Sequence, residues 1–254
     1  MKKTFDHPHP WSTVFTALGF LALEASGAAL ITAAAARLPL AQRAPAEAWG
    51  KGSVELLLAV LLLRRRHKGG GPSFGPRASA VVRRSWVVLL YALGQLLVNG
   101  RAAEGRLADG LASRIYLAAA VGLAEEALWR GTVFEQFRSA WGQEAAGTRK
   151  AAAASSLLFG AAHLLNLPAA GGTAAAVVFQ AGAAVILGGE LCLIYADTGS
   201  LAAVAALHGL IDAAALIWQY DGTGPALAGG MLVQLILLVP LILDGRRRWH
   251  RRTP

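Results

Sequence analysis

What most constrains this chain is a succession of apolar runs, each separated from the next by a short charged stretch. The runs lie at about residues 11–36, 54–63, 85–98, 111–137, 151–167, 173–196, 201–220 and 225–243. An α-helix rises about 1.5 Å per residue and a bilayer core is about 30 Å thick, so roughly 20 apolar residues make one crossing. The composition points the same way. The chain is 55% hydrophobic and 15% charged, with a mean hydropathy of +0.47, whereas a soluble domain carries about 25% charge. The expected fold is an all-α polytopic membrane protein of about eight transmembrane helices enclosing an intramembrane polar site. Residues 1–254 form a single membrane domain, with N-terminal helices over 11–98, a motif-bearing core over about 111–220 and a C-terminal helix over 225–243.

Two runs are short for a crossing. The run 54–63 follows Lys51 and holds Glu55, and it spans only if residues 46–50 are included and Lys51 snorkels. The run 85–98 must borrow flanking residues. The first run follows Met-Lys-Lys and the segment HPHP, a basic start of the kind found on secretory signals. It is too long for a typical signal core and contains Glu24, so it reads as a retained helix. A polar loop with Pro39, Arg43 and Pro45 comes next, and a basic Gly/Pro-rich linker occupies 64–84. No internal repeat is evident. The tetra-alanines at 33–36 and 151–154 suit close packing of membrane helices.

The net charge is +9, but its arginines cluster at the ends of apolar runs, as RRRHK (64–68) and RRRWHRR (246–252). Such clusters read as topology signals that meet anionic lipid headgroups, so the expected partner is the bilayer and not nucleic acid. With eight spans, most of the 24 Lys and Arg fall on the side shared by both termini, which makes that side cytoplasmic. Trp11, Trp49, Trp86, Trp141 and Trp249 lie near expected helix ends, as an aromatic belt would place them. The lone cysteine, Cys192, excludes an internal disulfide framework and a Cys-based zinc site and reads as a small buried residue. The Ala, Gly, Leu and Arg richness suits a bacterial chain, and hence the inner membrane.

Ionisable residues within apolar runs are costly, at least about 2.5–3.5 kcal/mol each on insertion scales, and so mark function. The densest set is Glu125, Glu126 and Arg130 in the stretch AEEALWRG. Glu126 and Arg130 stand four apart on a helix and can pair; Glu125 is turned about 100° away. In LLFGAAHLLN, Phe159 and His163 share a face, as do His208 and Asp212 in TGSLAAVAALHGLIDA. Two histidines, an aspartate and a glutamate pair on separate helices exceed what packing hydrogen bonds, worth about 0.6–2 kcal/mol, would repay. Glu24 and Glu190 lie mid-helix with no basic residue four positions away. Each either lines a cavity or is held neutral against a neighbouring helix. Glu55 reads as interfacial, beside Lys51.

Taken together these residues resemble three motifs of the CAAX-protease and bacteriocin-processing (CPBP, or Abi) family of intramembrane glutamic endopeptidases. Glu125-Glu126-Ala-Leu-Trp-Arg130 is similar to its EExxxR motif, Phe159–His163 to its FxxxH motif, and TGSL (198–201) followed by His208–Asp212 to its third. The resemblance covers about residues 111–220. It departs in two places: Asp212 stands where Asn is common, and Trp129 where Phe is common.

The resemblance implies an endopeptidase in which a glutamate, helped by a histidine, activates water, while a second histidine and its partner stabilise the oxyanion. A carboxylate in an apolar cavity is a competent general base near neutral pH. The pairing of Glu126 with Arg130 leaves Glu125 as the expected base, assisted by His163. His208 is the expected oxyanion donor, with Asp212 holding its tautomer or orientation. Phe159, Glu126 and Arg130 are supporting residues. The choice between Glu125 and Glu126 as base stays open at this point. No cofactor is required, although Glu125, His163 and His208 are a zinc ligand set in composition. The expected substrate is a membrane-associated or membrane-proximal peptide or protein; prenylation is not assumed, since bacteria generally lack it. Two alternatives are a non-catalytic immunity or scaffold protein that binds a peptide, and a small proton-coupled transporter. No motif position is lost outright, which disfavours the first, and repeats and paired broken helices are absent, which disfavours the second.

Overall fold

The computed structural model describes residues 10–67, 78–166, 174–218 and 225–251. The start of the chain with HPHP, the Gly/Pro-rich part of the basic linker, the boundaries expected at Leu167, Thr173 and Tyr220, and the last three residues lie outside the described residues. The fold is all-α. Its helices are α1 (Pro10–Ala35), α2 (Leu40–His67), α3 (Ala78–Ala102), α4 (Leu111–Leu128), α5 (Glu135–Trp141), α6 (Ala145–His163), α7 (Ala174–Thr198), α8 (Leu201–Leu216) and α9 (Pro225–Arg251). Among the described residues no β-strand occurs, only one isolated antiparallel bridge between Leu107 and Trp218.

The helices extend well past the apolar runs that signalled them. The short runs 54–63 and 85–98 sit inside helices of 28 and 25 residues. The polar loop expected at 39–45 is shorter than anticipated. α2 begins at Leu40 and takes in Arg43 and Pro45, with the Arg43 Nε–H donating to the Leu38 carbonyl at 2.9 Å. The run 111–137 is not one regular helix. α4 gives way at Trp129 to a single π-helical segment, Trp129–Phe134, before α5 resumes the α pattern. The Thr132 hydroxyl donates to the Ala127 carbonyl five residues back at 3.0 Å, a spacing that matches the wider turn.

α4 is the axis of the fold, packed between α2 and α8, while α6 pairs with α7, α1 lies on α2, and α9 bridges α3 and α7. The buried core gathers where these meet, around Leu128, Trp129, Phe134, Phe159, Leu191 and Tyr195. The outer surface is also apolar. Leu23 and Leu30 on α1, Leu93 and Leu97 on α3, and Ile236 and Val239 on α9 are all exposed. Apolar surface on this scale suits hydrocarbon and not water. Among the described residues two helices are long and apolar enough by themselves to cross a membrane, Trp11–Ala35 and Ala174–Thr198, with Leu201–Leu216 a shorter apolar helix. α4 falls short because it carries the charges Arg114, Glu125 and Glu126.

The Thr-Gly-Ser turn has a specific local cause. Gly199 adopts φ of 68°, a left-handed conformation that ends α7, and its N–H donates to the Tyr195 carbonyl at 2.7 Å. Ser200 then caps α8, its hydroxyl accepting from the Ala203 N–H at 3.2 Å. The turn sends α8 back alongside α4 and so carries His208 to the site.

Candidate active site

The site begins with a close approach between α4 and α8. A Cβ on Gly122 would lie 2.6 Å from the Gly209 amide nitrogen and 2.7 Å from the Ala205 carbonyl oxygen. Only hydrogen fits there, so the backbones pass unusually near one another. His208, next to Gly209, is thereby pressed against Glu126, one turn beyond Gly122. Its Nδ1 lies 2.7 Å from Glu126 Oε1.

The same oxygen accepts from Arg130 Nη1 at 2.6 Å. The other arm of the guanidinium, Nη2, donates to the Gly188 carbonyl on α7 at 3.2 Å, and its central carbon sits 4.8 Å from the centre of the Phe159 ring. Glu126 and Arg130 are almost wholly buried. The i,i+4 pair expected from the sequence therefore forms, and it has a second duty in fixing the His208 ring. The Phe159 ring is the hub of the packing. Trp129 lies 5.6 Å away, His163 4.8 Å and His208 5.8 Å, the two imidazoles each presented edge to face.

Hydrogen bonding sets the histidine tautomers. His163 Nδ1 lies 2.9 Å from the Phe159 carbonyl oxygen; a carbonyl can only accept, so Nδ1 carries the proton and Nε2 of the neutral ring offers a lone pair. On His208, Nδ1 faces the carboxylate oxygen already engaged by Arg130, so it too donates. That leaves the His208 Nε2 facing Glu125 Oε2 at 3.5 Å and Asp212 Oδ2 at 3.7 Å. Both distances are long for hydrogen bonds and short for charge interactions.

Burial separates these groups into two layers. Glu126, Arg130, Phe159 and His208 are buried, whereas Glu125, His163 and Asp212 are partly exposed. A dry scaffold backs a face that solvent or substrate can reach.

Three of the expected residues have partners that the sequence did not foretell. His163 meets the Phe159 carbonyl of its own helix through Nδ1, and the histidine in direct contact with Glu125 is His208. Asp212 faces the His208 Nε2 at 3.7 Å, while Glu126 holds the other ring nitrogen, Nδ1, at 2.7 Å. Glu190 was a candidate cavity residue; it meets Arg248 Nε of α9 at 3.0 Å. That arginine also binds Asp244 at 2.7 Å and lies 3.6 Å from Asp197, which in turn holds Arg84 at 2.9 Å. Gly188 and Glu190 are two residues apart, about 200° round α7, so one side of that helix serves Arg130 and the other serves this separate ion cluster.

Glu24 keeps its candidacy and gains a neighbour that sequence reasoning misplaced. Glu55 is not interfacial beside Lys51. Lys51 pairs with Glu47 at 2.5 Å, while Glu55 turns inward to 6% exposure, beside Glu24 of α1. A signal for this was present, because a glutamate four residues before a lysine is the better-oriented helical pair. Among the described residues no three His, Cys, Asp or Glu side chains gather as the ligands of one metal ion do.

Residues 108–214 match the family model of the type II CAAX prenyl endopeptidase Rce1-like proteins. No curated protein and no solved structure matches the chain. The matched segment runs from just before α4 to the end of α8, and it contains every residue of the three motifs. The family is one of membrane-embedded proteases, in keeping with the apolar exterior and with the two helices able to cross a bilayer. Over residues 108–214 the chain is thus similar to the Rce1-like CAAX proteases, and its three motifs fall inside that similarity.

Proposed function

We propose that the chain is an intramembrane endopeptidase of about eight spans with both termini cytoplasmic, in which Glu125 activates the water that attacks a peptide carbonyl. The observation that carries this reading is the layering of the site: Glu125, His163 and Asp212 on the accessible face, over the buried Glu126–Arg130–His208 unit. Glu126 has both its arginine and its histidine on one oxygen, so it serves as structure. Glu125 is the one of the two that is partly exposed, so water reaches its carboxylate.

In this mechanism water sits between the Glu125 carboxylate and His163 Nε2, the lone-pair nitrogen. Glu125 takes one proton as the oxygen attacks the carbonyl carbon. The developing oxyanion faces His208, whose Nε2–H donates to it; donation from both ring nitrogens requires the imidazolium, and Glu125, Glu126 and Asp212 supply the surrounding negative charge. Collapse of the tetrahedral intermediate breaks the C–N bond, and Glu125 returns its proton to the leaving amine. The products are a carboxylic acid and an amine, which leave as carboxylate and ammonium once the acid's proton passes to the amine, and Glu125 ends the cycle ionised as it began. The substrate is a membrane-proximal peptide segment, such as a secreted-peptide precursor or a C-terminal sorting signal.

Comparing peptide termini in the native host between wild type and Glu125→Gln, and separately His163→Ala, tests the assignment. Both variants are expected to lose processing while reaching the membrane in normal amounts, and zinc chelation is expected to leave wild-type cleavage unchanged. Normal processing by both variants rejects the reading.

A further inference from the structure

The described part of the chain buries three acids in its helices, and it answers two of them with a cation of its own. Glu126 has Arg130, and Glu190 has Arg248. Glu55 has none. It is 6% exposed, its Oε2 has no hydrogen-bond partner, and its neighbours are two more acids, Glu24 and Glu125. Among the described residues no Lys, Arg or His lies within ion-pair distance of Glu24 or Glu55. The nearby cations are committed elsewhere: Arg130 to Glu126 and Gly188, Lys51 to Glu47, and His208 to Glu126.

With the peptidase reading as its basis, we propose that Glu24 and Glu55 form a subsite for a cationic group of the substrate, an alkylammonium or guanidinium seated within a residue or two of the scissile bond. Two adjoining carboxyls that share one proton would keep one negative charge, which a single cation neutralises. An uncompensated charge buried in helices costs several kcal/mol, and a substrate cation removes that cost only while bound, which is how a specificity pocket discriminates. Access comes through Glu24, which is partly exposed, while Glu55 forms the floor. Glu55 lies within electrostatic reach of Glu125, so the cation sits beside the carbonyl that water attacks. Both residues stand on α1 and α2, outside the family-matched segment. The subsite is therefore a feature of this chain's N-terminal helices, added to the shared catalytic core.

The test is binding, measured on full-length Glu125→Gln protein in lipid nanodiscs so that no peptide is consumed. Three apolar twelve-residue peptides are compared: N-acetylated with a central Lys, N-acetylated with Gln in its place, and the Gln peptide with a free N-terminus. The Lys peptide is expected to bind about tenfold or more tighter than the acetylated Gln peptide. A gain by the free-amine peptide instead assigns the cation to a substrate N-terminus. Adding Glu24→Gln, or Glu55→Gln, is expected to bring the favoured peptide within about twofold of the neutral one. Glu24 is the more exposed of the two, so Glu24→Gln serves if Glu55→Gln fails to fold. Equal binding of all three peptides overturns the proposal. So does a preference that survives Glu24→Gln, or a Glu24→Gln protein that melts earlier with its discrimination intact, since the pair would then be only a staple between α1 and α2. Cleavage by wild type is scored separately: a Lys peptide bound and left whole counts against the peptidase reading and not against the subsite.

Discussion

Glu126 Oε1 is the most heavily used atom of the site, held by Arg130 from its own helix and by His208 from α8. Removing Arg130 strands a buried carboxylate, which costs about 3–5 kcal/mol, and also deprives Phe159 of the cation over its ring. Arg130→Ala is therefore expected to melt well below wild type in detergent, and a melting temperature equal to wild type would show that the pair contributes little. Glu126→Gln is expected to lose more cleavage than Asp212→Asn, because Glu126 sets the His208 ring at 2.7 Å while Asp212 stands 3.7 Å away; matched initial rates would reverse that ranking. The pairing of Glu126 with Arg130 was legible in the sequence because both residues sit on one helix, four apart. The contact of Glu126 with His208 was not, because helical periodicity carries no information across different helices. The FxxxH motif was legible as a shared face, but Phe159 as the hub under two imidazoles and a guanidinium emerges only when three helices meet.

At the scale of the helix, the approach of α4 to α8 decides whether His208 reaches the acids. Gly122→Ala puts a Cβ against backbone on α8 that cannot rotate away. It is expected to cost about 1–3 kcal/mol through overpacking and to lower cleavage more than stability alone explains, since His208 is carried off with its helix. Thermal melting together with kcat/KM measured well below the melting temperature separates the two effects, and an unaffected rate would show that the gap can widen harmlessly. The order of the helices followed from the apolar runs, yet their ends did not, nor did the division of the run 111–137 into α4, a π-helical segment and α5. Apolar runs report which residues meet hydrocarbon, whereas hydrogen bonding carries α2 from Leu40 to His67 and α3 from Ala78 to Ala102, past any such limit. The π-helical segment at Trp129–Phe134 left no mark on hydropathy at all, since widening a turn leaves the composition unchanged.

Over the whole molecule, the apolar exterior and the basic ends belong to one arrangement. In the eight-span reading the basic segments 64–68 and 246–252 face the cytoplasm, so reporter domains fused to either terminus are expected to be active only as cytoplasmic reporters; a periplasmic reporter active at one end alone would reject the eight-span count, and at both ends the orientation. The separate ion cluster on α7 and α9 has a consequence for how the chain is made. Glu190 is synthesised and handed to the membrane well before Arg248 exists, and Arg248 lies near the end of the last helix. Until α9 arrives, α7 carries an acid whose partner has yet to be translated. α9 thus acts as a latch on assembly, and a chain cut short just before Arg248 would keep Glu125, Glu126, Arg130, His163 and His208 while leaving α7 unanswered, a product suited to quality-control proteolysis.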